Sequence, residues 1–346
     1  MSLFASRQSN IVAQLNAFDL AHIEIVERPI RHILPSEVRV RVCAASLNHQ
    51  DLLVVRGHCA DTVRLPLIPL SDCAGIVVEI GVEVSRFRLG ERVAAAPLPN
   101  WVSGPLSTEM IARSLGLASD GVLAKYFICD QQSLVSISNG LSFEEAAALP
   151  SAGLTAWNAL FEKGNLKPGQ TVLVQGSGGV SIFALQFAAA GGARVIALSG
   201  SDSKLERLLR LGAAHVINYR EQPDWSRAVL ELTGGAGVDH VVEIGGAGTF
   251  EKSIRSTGVG GSISIIGSLT GASGTFDSLA ILKKTLQLQG VIAGSVEMFE
   301  RMNEMIDALH IRPVIDRTFQ MQDIAGALRY LESGRHVGKV VVTVAS

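Results

Sequence analysis

The sequence predicts an α/β protein in which a doubly wound parallel sheet is joined to a second, β-rich domain. Between residues 171 and 292, apolar strands alternate regularly with helices, as expected of βαβ units. A glycine-rich loop directly follows the first of these strands, whereas the residues before about 150 contain short alternating strands. With 346 residues, the chain is also too long for one hydrophobic core, so two domains are expected.

The composition excludes several classes of protein. Lys and Arg (30) nearly balance Asp and Glu (32), and neither half is basic or acidic, so nucleic acid and membrane surfaces are poor partners. Residues 168–193 carry no charge and are long enough to span a bilayer, but glycines divide them into a strand and a helix. The sequence shows no secretory signal. The four cysteines have no CxxC spacing, and this pattern is typical of reduced thiols in a cytoplasmic protein.

The N-terminal part is predicted to be rich in β-structure. Residues 38–42 alternate between valine and arginine, which indicates a half-buried antiparallel strand. Residues 75–84 and 91–96 are further short strands between proline and glycine turns. Residues 97–119 mix proline, glycine and serine with a weak helical pattern, and we interpret them as a surface lobe.

The sequence pattern changes near residue 141, shortly before the alternation of strands and helices begins. Ser142 and Glu145 have capping-box spacing before an alanine-rich helix. The six predicted strands that follow are 171–175, 194–198, 215–218, 238–243, 262–266 and 286–292. The predicted helices between them are 178–190, 203–211, 224–233, 249–256 and 277–284. The tail returns to helix and strand and is expected to fold back, which gives a β-rich domain of residues 1–151 and 294–346 and a dinucleotide domain of 152–293.

The loop after the first parallel strand has the composition of a phosphate site. Gly176 permits a tight turn, Gly178 lets backbone N–H groups approach a pyrophosphate, and the following helix N-terminus stabilises the anion. Ser181 replaces the third glycine of the pattern at a position that requires only a small residue. The candidate loop residues are Gly176, Ser177, Gly178, Gly179 and Val180. A glycine-rich turn without a ligand is the alternative.

The end of the next strand indicates which dinucleotide is bound. NAD sites usually place an acidic side chain there, but this sequence has Ser199, with Lys204 nearby. A neutral hydroxyl and a cation suit a 2′-phosphate, so NADP(H) is favoured over NAD(H). Asp202 is the counter-evidence, and we interpret it as a helix N-cap.

Several segments resemble the medium-chain dehydrogenase/reductase superfamily, over nearly the whole chain. They are the glycine loop, Ala44–Asp51 followed by Gly57, Pro69–Gly75, Leu149–Trp157 and the closing residues 333–339. The resemblance implies a GroES-like β domain, completed by the C-terminal tail, and a Rossmann domain. It is strongest to the zinc-independent branch of quinone oxidoreductase and alcohol dehydrogenase-like proteins.

The resemblance also bears on zinc. The positions that match the catalytic zinc ligands of related alcohol dehydrogenases hold Asn48, Ser71 and Ser151, whose amide and hydroxyl groups are poor zinc ligands. The segment that matches the structural zinc lobe, residues 97–119, contains no cysteine. No zinc is therefore expected. The alternative is a metal held by a different cluster, formed by His49, His58, Cys59 and Cys73.

The candidate catalytic residues are Asn48, Asp51 and His58. By resemblance, Asn48 and Asp51 line the nicotinamide side of the cleft, although Asp51 could instead accept from backbone N–H groups. His58 could donate a proton near neutral pH, because Cys59 stands where some relatives carry a tyrosine donor. A surface histidine with solvent as the proton donor is the alternative.

The resemblance adds cofactor residues outside the loop. Thr155 and Gly245 would contact the nicotinamide half, and Gly267 and Gly294 lie at later strand ends. Lys204, Tyr219 and Arg335 match positions that hold the adenosine phosphate in NADPH-binding relatives.

Together these observations favour a zinc-independent, NADPH-dependent reductase of a quinone, an activated alkene or a carbonyl. The alternatives are an NAD(P)-dependent alcohol or aldehyde dehydrogenase and a non-catalytic dinucleotide-binding sensor.

The last predicted strand of the parallel sheet, 286–292, is apolar apart from glutamines and would leave an exposed edge. We therefore expect a homodimer in which this edge strand pairs with a second subunit.

Overall fold

The chain divides into two units, one formed by Met1–Ser151 with Gly294–Ser346 and one formed by Ala152–Ala293. The computed structural model describes residues 9–344. The fold is the predicted one, a Rossmann domain with a GroES-like β-rich domain.

The first unit begins with antiparallel strands. They are β1 (Ser9–Leu15), β2 (Ile23–Pro29), β3 (Glu37–Ser46), β4 (Asp72–Ile80), β5 (Arg92–Ala95), β6 (Tyr126–Asp130) and β7 (Leu134–Ser136). β1 and β2 form a separate ribbon, whereas β3 pairs with both β4 and β6. β3 is more buried than its alternation predicts, because Arg39 also lies inside and pairs with Glu79 at 2.5 Å.

Short helices connect these strands and begin at recognisable caps. They are α1 (His49–Val55), α2 (Thr108–Ile111) and α3 (Phe143–Ala147). The predicted capping box is confirmed at α3, where the Glu145 N–H donates to the Ser142 hydroxyl at 3.1 Å and the Ser142 N–H donates to the Glu145 carboxylate at 2.8 Å. Residues 97–119 are not wholly a surface lobe, because Trp101 and Leu115 are buried.

The second unit contains a parallel sheet of six strands. They are β8 (Thr171–Gln175), β9 (Arg194–Ser199), β10 (His215–Asn218), β11 (Val238–Glu243), β12 (Thr257–Ile265) and β13 (Gln287–Gly290). The sheet order is β10-β9-β8-β11-β12-β13, so the chain reverses direction across the sheet between β8 and β11. This order confirms the predicted doubly wound topology, in which ligands bind at the carboxyl ends of the strands near the reversal.

Helices cover the sheet of the second unit. They are α4 (Leu154–Trp157), α5 (Gly179–Ala190), α6 (Asp202–Arg210), α7 (Trp225–Leu232), α8 (Ala247–Ser256) and α9 (Ser278–Lys284). The uncharged run 168–193 forms β8, the glycine loop and α5, as predicted. Within residues 9–344, no helix combines the length and the apolarity that crossing a membrane requires.

The C-terminal segment completes the first unit. It forms α10 (Val296–Ala308), β14 (Ile315–Gln320), α11 (Ile324–Glu332) and β15 (Lys339–Thr343). β15 pairs antiparallel with β3 through Val341 and Ser46, and parallel with β14 on its other side. The tail therefore folds back onto the N-terminal strands, as predicted.

Candidate active site

The loop after β8 has the backbone geometry of an anion site. Gly176 has a φ of +75°, a conformation that favours glycine, and its N–H donates to the Leu198 carbonyl at 2.8 Å. Gly178 is extended and directly precedes α5, so the amides of Gly179 and Val180 lie at the N-terminus of this helix. A dinucleotide pyrophosphate fits here, because helix N-terminal amides bind anions without any side chain.

The serines of this loop are nearly inaccessible. Ser177 is 6% exposed, and Ser181 is 1% exposed. The Ser181 hydroxyl donates to the Gln175 carbonyl at 2.6 Å. Ser181 therefore forms a hydrogen bond that a glycine could not form, and this bond connects the first turn of α5 to the end of β8.

Glu243, at the end of β11, organises the neighbouring turn. Its carboxylate is fully buried and accepts from five donors. The donors are Gln175 Nε2 at 2.7 Å, Gly245 N at 2.8 Å, Gly246 N at 2.9 Å, Thr249 Oγ1 at 2.6 Å and Ser253 Oγ. Gly245 was predicted from the sequence, whereas Glu243 was not. The signal available was a charged residue at the carboxyl end of a predicted parallel strand, two residues before Gly245.

Two predicted glycines lie where strand ends approach other atoms closely. A Cβ on Gly267 would lie 2.6 Å from the Ile244 carbonyl oxygen, and one on Gly245 would lie 2.2 Å from Thr249 Oγ1. Position 267 therefore requires glycine, because the clash is with backbone, whereas a side chain at position 245 would displace Thr249. Thr155 is buried in α4 of the same unit, whereas Gly294 is buried just before α10 in the first unit.

At the end of β9, a polar cluster surrounds Ser199, which is 3% exposed. The Tyr219 N–H donates to the Ser199 carbonyl at 3.1 Å. A Cβ on Gly200 would lie 2.8 Å from the Tyr219 hydroxyl and 2.9 Å from Arg220 Nε, so both side chains lie over this glycine. Lys204 follows on α6. Arg220 was not predicted from the sequence, although it follows Tyr219 just beyond the end of β10.

The prediction that Asp202 caps α6 is wrong. Ser201 occupies the cap position, and Asp202 is the first helical residue. Its carboxylate accepts from Asn218 Nδ2 at 2.8 Å, so Asp202 is hydrogen-bonded to the neighbouring strand β10.

Arg335, the third residue predicted to bind the phosphate, lies in the first unit, where its guanidinium stacks 5.5 Å from the Tyr330 ring.

In the first unit, the three positions that match zinc ligands come together. Asn48 Nδ2 lies 3.4 Å from Ser71 Oγ, which lies 3.3 Å from Ser151 Oγ. Asn48 is the N-cap of α1 and Ser71 directly precedes β4. Ser151 belongs to a π-helical turn, Leu149–Gly153, a distortion that is frequent at functional sites.

Asp72 lies beneath these residues and is fully buried. The Ser71 hydroxyl donates to Oδ1 at 2.7 Å, and the Ser151 hydroxyl donates to the same oxygen at 2.5 Å. The Ser151 N–H and the Ser46 hydroxyl donate to Oδ2 at 3.1 and 3.4 Å. Lys339 Nζ lies 3.7 Å from Oδ2 and provides the counter-charge. Asp72 and Lys339 lie in two segments that resemble the family, Pro69–Gly75 and residues 333–339, but neither was predicted to have a role.

Zinc does not fit this donor set. Zinc prefers thiolate, imidazole and carboxylate ligands, whereas Ser71 and Ser151 are hydroxyls whose protons point at Asp72. The amide oxygen of Asn48 accepts from the Lys339 ammonium at 2.6 Å, so a cation already faces it. The alternative cluster of His49, His58, Cys59 and Cys73 is not formed: across residues 9–344, no three His, Cys, Asp or Glu side chains are placed to hold a metal.

Asp51 is 4% exposed and accepts from the Asn48 N–H at 2.7 Å, as in a capping box. Burial raises the pKa of Asp51 to about 7, against the opposing effect of that N–H. His58 is exposed beyond α1, and the pKa of His49 is lowered by burial and by the charge of His58. The catalytic roles of Asn48, Asp51 and His58 stay predictions.

Comparison with known proteins agrees with this architecture. A family model described as "Alcohol dehydrogenase GroES-like domain" matches residues 34–139, and one described as "Zinc-binding dehydrogenase" matches residues 179–310. A zinc-type alcohol dehydrogenase-like protein of Schizosaccharomyces pombe is 40% identical over 338 residues, 96% of this chain and 97% of that protein.

Two further proteins extend the comparison. Quinone oxidoreductase-like protein 2 of Bos taurus is 28% identical over 93% of this chain and 88% of its own length. The crystal structure of an NAD-dependent alcohol dehydrogenase is similar at a TM-score of 0.89 and 34% identity, covering 98% of this chain and all of the other.

The buried carboxyl of Asp51 predicts a pH dependence of stability. Its pKa is about 7 in the fold, against 3.8 as the ordinary value, so the folded state binds the proton more tightly. The stabilising contribution is full below pH 4 and is lost as the pH rises through 7. The variant Asp51→Asn keeps an oxygen that can accept from the Asn48 N–H, but its amide does not titrate in this pH range. The free energy of unfolding of the variant minus that of wild type should therefore increase by up to roughly 4 kcal/mol as the pH is raised from 4 to 8.

Urea unfolding at several pH values measures this difference. Asp61→Asn, which removes an exposed carboxyl from the same region, is the matched control and should show no such trend. A constant difference between Asp51→Asn and wild type across this range would contradict the prediction.

Proposed function

Because the chain belongs to the medium-chain dehydrogenase/reductase superfamily of NAD(P)-dependent oxidoreductases, we propose that it is a zinc-independent reductase. In this proposal it transfers hydride from NADPH to a quinone, an activated alkene or a carbonyl. The single observation that carries the proposal is the replacement of the metal site by the hydrogen-bonded group of Asn48, Ser71 and Ser151 above Asp72.

Without a metal, a hydrogen-bond donor must stabilise the negative charge that develops on the substrate oxygen. The protons of Ser71 and Ser151 are committed to Asp72. The Asn48 Nδ2 group carries two protons, and its contact to Ser71 Oγ, at 3.4 Å, uses at most one. Asn48 is therefore the residue best suited to donate to a substrate oxygen.

The second unit supplies the residues for the coenzyme. When bound, NADPH provides the hydride, and the backbone amides of Gly179 and Val180 at the N-terminus of α5 would hold its pyrophosphate. Ser199 has no charge that would repel a 2′-phosphate, and the guanidinium of Arg220 lies beside it over Gly200. These features support NADPH over NADH.

An NAD(P)-dependent alcohol or aldehyde dehydrogenase is the second candidate. The names of the Schizosaccharomyces pombe protein and of the NAD-dependent alcohol dehydrogenase structure favour it. The two candidates differ in the preferred coenzyme and in the acceptor, so kinetic measurements separate them.

The main test is turnover by purified enzyme before and after treatment with a strong chelator. We expect NADPH oxidation with at least one member of a panel of quinones, enones and aldehydes. We also expect the rate to be unchanged after chelation, because the donor set of Asn48, Ser71 and Ser151 does not suit zinc. A rate that is lost on chelation and restored by Zn²⁺ would refute zinc independence. Faster alcohol oxidation with NAD⁺ would favour the second candidate.

Coenzyme preference should depend on Ser199. Ser199→Asp places a carboxylate against the 2′-phosphate, so the ratio of kcat/KM for NADPH to that for NADH should fall about tenfold or more. Ser199→Ala is the matched control and should keep the preference for NADPH, since it adds no charge. An unchanged ratio in folded Ser199→Asp would count against this placement of the phosphate.

We further propose that the protein is a homodimer that pairs through β13. This strand lies at the edge of the six-stranded sheet. Apolar side chains in and around α9 and β13 are exposed, and they are Phe276 (50%), Leu279 (50%), Leu282 (71%), Leu288 (37%) and Ile292 (54%). An apolar edge of this kind is typical of a surface that a second copy covers.

Leu282→Asp should therefore convert the dimer to a monomer, because it would bury a charge in the pairing surface. Sedimentation velocity at micromolar concentration measures the change. Leu209→Asp, which alters an exposed leucine on α6 of the same unit, is the control and should stay dimeric. A wild-type protein that sediments as a monomer would contradict the proposal.

A further inference from the structure

Lys339 is a buried cation to which the proposed chemistry gives no role. It is the first residue of β15 and is 3% exposed. Its Nζ lies 2.6 Å from Asn48 Oδ1, 2.7 Å from the Leu47 carbonyl oxygen and 3.7 Å from Asp72 Oδ2. An ammonium group carries protons and no lone pair, so it can face only acceptors. The oxygen of the Asn48 amide must therefore point at Lys339.

This contact also determines where the nitrogen of the amide points. Nδ2 is directed away from Lys339 and lies 3.4 Å from Ser71 Oγ. The two ends of an amide have nearly the same shape, so packing alone distinguishes its orientations poorly. The ammonium distinguishes them by charge, because the reverse orientation would turn N–H protons toward a cation.

We infer that Lys339 is a positioning residue for the proposed reaction, which holds Asn48 with its N–H turned toward the substrate oxygen. The inference rests on the proposed function, in which Asn48 is the donor. The ammonium adds a second effect, since a charge-assisted hydrogen bond to Oδ1 withdraws electron density from the amide and strengthens its N–H as a donor. Burial lowers the pKa of Lys339, and the nearby carboxylates of Asp72 and Asp51 oppose this effect by favouring the charged form.

A double-mutant cycle on the full chain tests this inference. Lys339→Met should lower kcat about 100-fold, the size expected for loss of one oxyanion donor, and leave the Kd for NADPH within about twofold. Lys339→Arg, which keeps a cationic donor, should recover at least tenfold of the loss. In the Asn48→Ala background, Lys339→Met should have no further effect on kcat, because the residue through which Lys339 acts is already absent.

Different results separate the possible failures. If Lys339→Met slows Asn48→Ala by the same factor as it slows wild type, Lys339 is only structural and the inference is overturned, while the proposed function stands. If wild type does not oxidise NADPH with any acceptor of the panel, the proposed function fails and the inference fails with it. If Lys339→Met does not fold, Lys339→Gln takes its place, because it removes the charge that distinguishes the two ends of the Asn48 amide, and the same non-additivity is then required.

Discussion

The buried carboxylate of Asp72 is the constraint on which the first unit depends. A carboxylate that is fully removed from water is stable only if its oxygens are hydrogen-bonded and its charge is compensated. Ser71 and Ser151 satisfy one oxygen, and Ser46, the Ser151 N–H and Lys339 surround the other. Residues from β3, β4, the helical turn at 151 and β15 thus meet at one group, and their positions are fixed together.

The second unit also contains a buried carboxylate, which is stabilised without a nearby cation. The Glu243 carboxylate is also fully buried, but its donors are two backbone amides, two hydroxyls and the Gln175 side chain. These bonds connect the end of β8, where the phosphate loop begins, to the turn after β11. The geometry of the loop therefore depends on a residue that would not touch the pyrophosphate.

The sequence predicted the fold well because the fold follows from local patterns. Apolar strands such as Thr171–Gln175 and the capping box of Ser142 have short-range causes, and their bounds agree closely with the structure. The site was predicted less completely. Asp72 and Lys339 contact each other and Ser151 or Asn48 from distant parts of the chain. Glu243 combines a local turn with Gln175 on another strand, and residue type alone reveals neither arrangement. Asp202 was misassigned because its partner Asn218 lies on another strand.

The position of Lys339 has a consequence for biosynthesis. Asn48 and Lys339 are 291 residues apart in sequence, and β15 joins β3 from the far end of the chain. The intervening Ala152–Ala293 unit leaves the ribosome, and can fold, before this lysine has been translated. A nascent chain can thus form its dinucleotide domain while the sheet of the first domain still lacks β14 and β15, since β14 joins this sheet through β15. Asp72 then stays without its counter-ion until Lys339 has been translated.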